Sequence, residues 1–195
     1  MDKLQAEVPM PIKTPRLMLR PPQAGDGQAV FEAKTESLEQ LKQWMPWAHN
    51  EFSAEVDEAM CQTKHDAFLK RDDLMMFAFD HAGNFIGSTG IHPQNWDNGC
   101  FEIGYWVRTS EAGKGYATEI TTALCHYAFK QLNAKRVQIS HNAGNLASKA
   151  VIKKVGFPFE GVARKGSDMP MGDPADGWHY AFVSIDEVPP IDVSW

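Results

Sequence analysis

Residues 100–118, CFEIGYWVRTSEAGKGYAT, decide the fold, because an apolar strand here runs through a glycine-bearing turn into a helix. The part at 100–107 is apolar enough to predict a strand in the centre of a sheet. The helix is predicted to run from about Gly115 to Leu132. Free N–H groups at a helix start bind anions, and glycines let a diphosphate approach the backbone closely. The stretch therefore predicts a strand, a candidate phosphate-binding turn and a helix, in that order.

The turn by itself is not a specific phosphate-binding motif. It lacks the GxGxxG of dinucleotide-binding folds, and Gly113 has no glycine five residues before it to complete a P-loop. An isolated turn of this kind more often starts a helix without binding a ligand. Residues elsewhere in the chain must decide between the two interpretations.

The remaining segments alternate between strand and helix patterns, without an internal repeat or a low-complexity linker. Strands are predicted at 16–20, 74–79, 85–91, 136–140, 160–164 and 179–185, and further helices at 26–37, 53–71 and 145–155. Asp26 is predicted to cap the first helix, and a loop is predicted at 166–177. We therefore expect a mixed α/β (α+β) sheet flanked by helices, in one domain over 1–195 with its core at about 16–185 and short tails.

Composition and charge narrow the class of protein. The chain has 195 residues, of which 43% are hydrophobic and 23% charged, close to ordinary globular proteins. Its 19 Lys and Arg against 25 Asp and Glu give a net charge of −6, which argues against nucleic acid as the main partner and favours an amine-bearing one. Three irregularly spaced cysteines, with no signal peptide or long apolar run, predict a cytoplasmic protein without a membrane partner.

Four blocks of the chain resemble a known family. The strand FEIGYWV, the turn AGKGYATE, the strand RVQIS and the block at 145–157 are similar to the GNAT acyltransferases, in particular to the RimJ and RimL branch of ribosomal-protein acetyltransferases. The blocks occur in family order and at family spacing, and the resemblance covers about 16–185. It implies a mixed, mostly antiparallel central sheet that is splayed at its middle, with acetyl-CoA bound in the split.

The resemblance also implies which residues hold acetyl-CoA as the cosubstrate. The pantetheine would lie along the strand end at Trp106 and Val107, and the Val107 N–H would polarise the thioester carbonyl. The pyrophosphate would bind the glycine turn and the helix start, formed by Gly113, Lys114, Gly115, Tyr116, Ala117 and Thr118. This chain has Ala112 where the family usually has Gln or Arg. Because backbone amides bind most of the phosphate, we expect this departure to weaken the site without abolishing it.

A second departure lies in the helix predicted at 145–155. Many relatives have a tyrosine there that protonates the departing thiolate, and this chain has Ile152. Ser148, in the NxxS pattern of RimL-like relatives, is then the candidate acid, and the alternative is a helix-surface serine that bonds a carbonyl one turn back. Asn145 is predicted to cap the helix and to contact the cofactor as well.

Two carboxylates are candidates for the base that acyl transfer to an amine needs, since an ammonium has no lone pair. Glu102 lies in the apolar strand, where a charge is costly unless it faces a wet cleft. Glu160 belongs to the block GFPFEG, where RimL-like relatives often carry Glu. The alternatives are a buried, hydrogen-bonded structural acid for Glu102 and a strand-edge charge for Glu160. We favour Glu102.

Other clusters are less specific. The block WMPW at 44–47 is more often core than binding surface, but the resemblance implies that Trp44 and Trp47 line an acceptor groove. Cys61 and His65 are one helical turn apart without a second pair, so no metal site is predicted.

The sequence therefore predicts an acetyl-CoA-dependent N-acetyltransferase that transfers the acetyl group directly in a ternary complex. The favoured acceptor is the N-terminal α-amine of a protein or peptide, such as a ribosomal protein. Two alternatives stay open: acetylation of a small molecule such as a drug, an aminoacyl nucleotide or a polyamine, and a module that binds acetyl-CoA without turnover. We expect a monomer or a homodimer.

Overall fold

Strands and helices alternate along the chain in a computed structural model that describes residues 3–195, so residues 1–2 of the predicted domain lie outside the described residues. The strands are β1 (Ile12–Lys13), β2 (Leu17–Arg20), β3 (Leu74–Asp80), β4 (Phe85–Asn95), β5 (Cys100–Val107), β6 (Arg136–Asn142), β7 (Phe159–Ser167) and β8 (Ala175–Phe182). The helices are α1 (Gly27–Leu41), α2 (Ala54–Leu69), α3 (Tyr116–Lys130) and α4 (Leu146–Val155). The fold class is confirmed as a mixed α/β domain.

One sheet contains all eight strands in the order β1-β2-β3-β4-β5-β6-β8-β7. Neighbouring strands are antiparallel except for β5 and β6, which run parallel and pair from Cys100 opposite Arg136 to Glu102 opposite Gln138. Beyond Glu102, β5 stays paired with β4 as far as Val107, while β6 pairs with β8. The sheet is therefore split between its two central strands.

The two faces of the sheet are covered by different helices. Helix α3 packs against the larger core, and its residues from Ile120 to Ala128 are all buried. Phe101 and Ile103 of β5 point to this side, whereas Trp106 packs with Val30 of α1 in the smaller cluster on the other side. Since side chains alternate along a strand, Glu102 shares the face of Trp106.

Several boundaries differ from the sequence-based ones. Helix α1 extends to Leu41. Asp26 is its N-cap residue as predicted, but the Asp26 side chain does not cap the helix, because its carboxylate accepts two hydrogen bonds of 2.7 Å from Arg20. The predicted loop at 166–177 is shorter, because β7 continues to Ser167 and pairs there with Ala175. Helix α4 ends at Gly156 as expected, with a φ of +95°.

A hydrogen-bond network ties α1 to the segment that follows β5. The Glu36 carboxylate accepts from the Arg108 guanidinium at 3.0 Å and from the Ser110 N–H at 2.6 Å. The Thr109 N–H donates to the Ser37 hydroxyl at 3.0 Å. The hydrogen bond from Arg108 is the main cause that lowers the pKa of Glu36 to about 2. This network holds α1 beside the turn that leads into α3.

We expect the Glu36 contacts to stabilise the protein at neutral pH and not in strong acid. A carboxyl whose pKa is lowered by folding contributes stability above its unfolded pKa, near 4.3, and loses it as the pH falls towards 2. Glu36→Gln should lower the Tm at pH 7 by about 1–4 °C, since exposed charge contacts contribute little each. Thermal melts from pH 7 to pH 3 should show the difference from wild type narrowing below about pH 4.3.

Glu39→Gln on the same helix is the control, because Glu39 is exposed. A Glu36→Gln deficit that stays constant down to pH 3 would contradict this assignment of the ion pair.

Candidate active site

A cavity of about 1010 Å³ lies where β5 and β6 separate. Residues of β5, β6, α4, the segment before α3 and the end of α1 line it. The cavity therefore exists because the sheet splits between β5 and β6.

The glycine turn borders the cavity at the start of α3. Gly113 and Gly115 adopt left-handed φ values of +77° and +87°, which favour glycine. No side chain caps α3, so the first N–H groups of the helix, which Tyr116, Ala117 and Thr118 supply, have no partner within the helix and lie at the cavity wall. The Lys114 side chain is exposed and pairs with Glu111 at 2.9 Å. The turn thus offers backbone donors rather than a lysine charge.

Arg16, which sequence analysis did not single out, holds this turn from the bend just before β2. Its guanidinium donates to the Lys114 carbonyl at 2.9 Å and to the Glu119 carboxylate at 2.6 Å, and it lies 4.5 Å from the centre of the Tyr116 ring. Glu119 also accepts from the Thr14 hydroxyl at 2.6 Å. These partners are about a hundred positions away in sequence, so no local pattern could have indicated them.

The end of β5 presents backbone groups to the gap. Trp106 and Val107 both line the cavity. The Arg108 N–H donates to the Ile86 carbonyl on β4 at 2.9 Å. Successive N–H groups of a strand point to opposite sides, so the Val107 N–H points towards the space that β6 has left.

The start of α4 and the facing part of β5 each supply one hydroxyl group to the cavity. Asn145 caps the helix as predicted, because its side chain accepts from the Ser148 N–H at 3.0 Å. The Ser148 hydroxyl lies 3.4 Å from the Tyr105 hydroxyl, and all three residues line the cavity. Burial raises the pKa of Tyr105 to about 12, so its phenol keeps its proton at neutral pH. Ile152, which stands where many relatives have a tyrosine, is fully buried and lies outside the cavity lining.

The structure separates the two candidate carboxylates. Glu102 lines the cavity and accepts hydrogen bonds from Ser140 at 2.8 Å and from Gln138 at 3.2 Å. Glu160 is exposed on β7, outside the cavity lining, and forms a two-pronged ion pair with Arg136. The hydrogen bond from Arg136 is the main cause that lowers the pKa of Glu160, which makes it a weaker base.

The two tryptophans of the WMPW block have different positions. Trp44 lines the cavity, and its ring comes close to the loop after β6, since a Cβ at Gly144 would lie 3.7 Å from it. Trp47 lies behind this wall, with its ring centre 6.1 Å from that of Trp106. Trp44 is thus placed to contact a ligand, and Trp47 supports Trp106.

The described residues contain neither a cluster suited to a metal ion nor a helix suited to a membrane. Within residues 3–195, no group of three or more His, Cys, Asp or Glu side chains is arranged to hold a metal ion. His65 instead lies 2.7 Å from the Pro22 carbonyl, and burial raises the pKa of Cys61 to about 12. None of the helices in the described part of the chain is long and apolar enough to cross a bilayer.

Comparison with known proteins gives a consistent family. The profile described as "Acetyltransferase (GNAT) domain" matches residues 16–158. "Putative ribosomal N-acetyltransferase YdaF" of Bacillus subtilis is 30% identical over 142 residues, which cover 72% of this chain and 77% of YdaF. The structure of RimL, a ribosomal L7/L12 alpha-N-protein acetyltransferase in complex with coenzyme A, has a TM-score of 0.79 at 24% identity, covering 87% of this chain and 95% of RimL.

A different acceptor class occurs among similar folds. The microcin C7 self-immunity acetyltransferase MccE, solved with acetyl-CoA and AMP, has a TM-score of 0.80 at 19% identity, and covers 87% of this chain and 93% of its own. At this identity the likeness concerns the fold alone. The fold therefore does not select the acceptor.

Proposed function

The chain belongs to the GNAT acetyltransferase family, and from this premise we propose that it transfers the acetyl group of acetyl-CoA to the N-terminal α-amine of a protein or peptide. The observation that carries this proposal is the cavity at the β5–β6 gap. There, free backbone donors, a glycine turn at a helix start and the Glu102 carboxylate border one space. The ribosomal acceptor in the name of YdaF supports a protein substrate and a cytoplasmic reaction.

The proposed cosubstrate site follows the cavity wall. The first N–H groups of α3 and the backbone of the glycine turn would bind the pyrophosphate, with Arg16 keeping the turn in place. Trp106 and Val107 would border the pantetheine, and Asn145 would fix the start of α4 beside it. Acetyl-CoA supplies the thioester on which the acceptor amine reacts.

The proposed chemistry divides between the two sides of β5. Glu102 is the carboxylate that attracts the acceptor ammonium, and loss of the acceptor's proton depends on it. The Val107 N–H stabilises the negative charge that develops on the acetyl oxygen. Ser148, with the Tyr105 hydroxyl beside it, protonates the departing sulfur. Glu160 remains the rival base, although its ion pair with Arg136 disfavours it.

The choice of acceptor has a chemical reason. An α-amine has a pKa of about 7.7–8.0 and a lysine side chain one of about 10.4, so a useful fraction of α-amine is already neutral at pH 7. A modest base is then enough. The net charge of −6 and an aromatic wall at Trp44 would favour a cationic chain end with apolar neighbours.

We expect acetyl-CoA to raise the Tm of the wild-type protein by about 5–10 °C at ~100 times its Kd, because it binds the native state alone. Gly115→Val should remove most of this rise, since a side chain blocks the approach of the pyrophosphate to the turn. Differential scanning fluorimetry with and without acetyl-CoA measures it.

Gly83→Val is the matched control, because Gly83 has a φ of +86° against +87° for Gly115 and lies in the β3–β4 turn. Both variants lose stability by backbone strain, but Gly83→Val should keep the acetyl-CoA shift. A full shift in folded Gly115→Val would refute the pyrophosphate assignment.

Glu102→Gln should reduce the rate of CoA release with an amine acceptor by roughly 10²–10⁴ at pH 7 and leave acetyl-CoA binding unchanged. The deficit should shrink as the pH approaches the pKa of the amine, because the acceptor then loses its proton without help. Rates from pH 6 to pH 9.5 test this. Normal activity of Glu102→Gln together with inactive Glu160→Gln would transfer the role to Glu160.

Trp44→Ala should raise the KM for an acceptor peptide roughly tenfold or more and leave that for acetyl-CoA nearly unchanged, because the indole would contact only the acceptor. Trp47→Ala should raise the peptide KM less, because Trp47 lies behind the cavity wall. Since Trp47 packs on Trp106, which borders the pantetheine, this variant should also raise the KM for acetyl-CoA. The measurement is steady-state kinetics in a panel of peptides with different N-termini, antibiotics and polyamines.

Trp195→Ala is the control, because Trp195 lies outside the cavity lining. Its ring packs on Tyr127 of α3, and its indole N–H donates to the side chain of Gln131, just after that helix. If both tryptophan variants keep the peptide KM, the acceptor does not bind at Trp44. If small molecules alone are acetylated, the acceptor is a small molecule. If no amine in the panel is acetylated, the protein binds acetyl-CoA without turnover.

A further inference from the structure

The imidazole of His92 lies in a slot of the sheet that two glycines create. Gly90 on β4 and Gly104 on β5 face each other in register. A Cβ atom at Gly90 would lie 2.8 Å from His92 Cε1, and one at Gly104 would lie 3.2 Å from His92 Nε2. A side chain at Gly90 would collide with the ring, and one at Gly104 would crowd it. The glycine pair therefore gives the imidazole a defined place beside the cavity, which His92 helps to line.

A carboxylate holds the other side of the ring. His92 Nδ1 is 2.6 Å from Asp73 Oδ1, and the Lys64 ammonium of α2 is 2.9 Å from Asp73 Oδ2. Burial raises the pKa of Asp73, but the hydrogen bonds from His92 and Lys64 outweigh it and lower that pKa to about 2. An ionised carboxylate can only accept, so Nδ1 carries the proton of a neutral imidazole and Nε2 keeps its lone pair.

The imidazole and the Glu102 carboxylate share one wall of the cavity. His92 and Glu102 are opposite each other in register on β4 and β5, so their side chains lie on the same face. Glu102 already accepts from Ser140 and Gln138. The charged groups that face His92 are thus Asp73, with Lys64 behind it, and Glu102. The cavity wall thus combines a carboxyl group at Glu102 with an imidazole whose Nε2 can accept a proton.

We propose that His92 Nε2 is the final acceptor of the proton that leaves the acceptor amine, with Glu102 holding the ammonium and Asp73 acting as a positioning residue. This inference rests on the proposed function, since it requires an amine substrate. His92 takes one proton from the ammonium, and the freed electron pair of the nitrogen forms the new C–N bond at the acetyl carbon.

The remaining bonds and protons then balance. The C–S bond breaks, its electron pair leaves with sulfur, and sulfur gains a proton through Ser148, which solvent restores. The nitrogen loses a second proton to water on becoming an amide, and the imidazolium also returns its proton to water. Two protons thus reach the solvent, and the solvent gives one back to Ser148. One proton is released for each acetyl group transferred.

Reference pKa values explain why an imidazole suits this step better than a carboxylate. Transfer of a proton from an α-ammonium, with a pKa of about 7.7–8.0, to an imidazole of about 6.5 is unfavourable by a factor of about 15–30. Transfer to a carboxylate of about 4.3 is unfavourable by a factor of about 2,500–5,000. A carboxylate is better suited to attract the ammonium, and an imidazole beside it to take the proton.

The test compares pH profiles of kcat for the wild type, His92→Gln, Asp73→Asn and the control His81→Gln, whose side chain lies on the β3–β4 turn. The acceptor is the amine of the panel that wild type acetylates best. We expect His92→Gln to lower kcat at pH 7 by roughly 10². We also expect it to lose the rising limb of the pH profile, in which kcat increases as an enzyme group loses its proton. Acetyl-CoA should still raise its Tm, and His81→Gln should match wild type.

Asp73→Asn provides a second readout that does not depend on His92→Gln folding. Removal of the negative charge disfavours the imidazolium, so the rising limb should move to lower pH. The acceptor is the same in every assay, so such a shift comes from the enzyme.

Three results would each overturn the role of His92. The kcat of His92→Gln could lie within about threefold of wild type, or it could be low while the acidic limb of its pH profile is intact. The acidic limb of Asp73→Asn could also stay at the pH of wild type. These outcomes are distinct from failure of the proposed function, in which wild type acetylates no amine at all.

Discussion

The end of hydrogen bonding between β5 and β6 is the constraint on which the candidate site depends. The two parallel strands pair as far as Glu102 and Gln138 and then separate, because β6 continues beside β8 while β5 continues beside β4. The facing edge of β5 is left with backbone donors and acceptors that the sheet does not pair. Such groups need partners in a folded protein, and a ligand in the cleft can supply them. The cavity is thus a consequence of topology.

The alternation of β5 divides that cavity into two chemical environments. Glu102 and Trp106 face the side of α1, whereas Tyr105 and Val107 face the side of α3 and α4. A carboxylate and an imidazole lie on one side, and hydroxyl groups lie on the other. The groups that we propose to remove a proton and those that we propose to return one are therefore separated by the thickness of a single strand. A one-residue shift of β5 would exchange them.

What the sequence predicted well was local. The strand, glycine turn and helix at 100–130 follow each other directly, and Glu102 stood out because a charge interrupts an apolar strand. What it missed depends on distant partners. The position of His92 depends on Asp73 and on two glycines on different strands. The carboxylate of Asp26 accepts hydrogen bonds from Arg20 and does not cap its own helix. Spacing along one chain cannot reveal such pairs, because the sheet brings them together only after folding.

Helix α3 has a consequence for how the molecule opens. Its buried run from Ile120 to Ala128 leaves no face in water, and it touches both halves of the split sheet. The amide hydrogens of this run are therefore expected to exchange with solvent deuterons only through complete unfolding. Helix α2, with three of its side chains buried, has much less to lose by opening alone. The turn at Gly115, which begins α3, is therefore expected to keep its geometry while α2 opens.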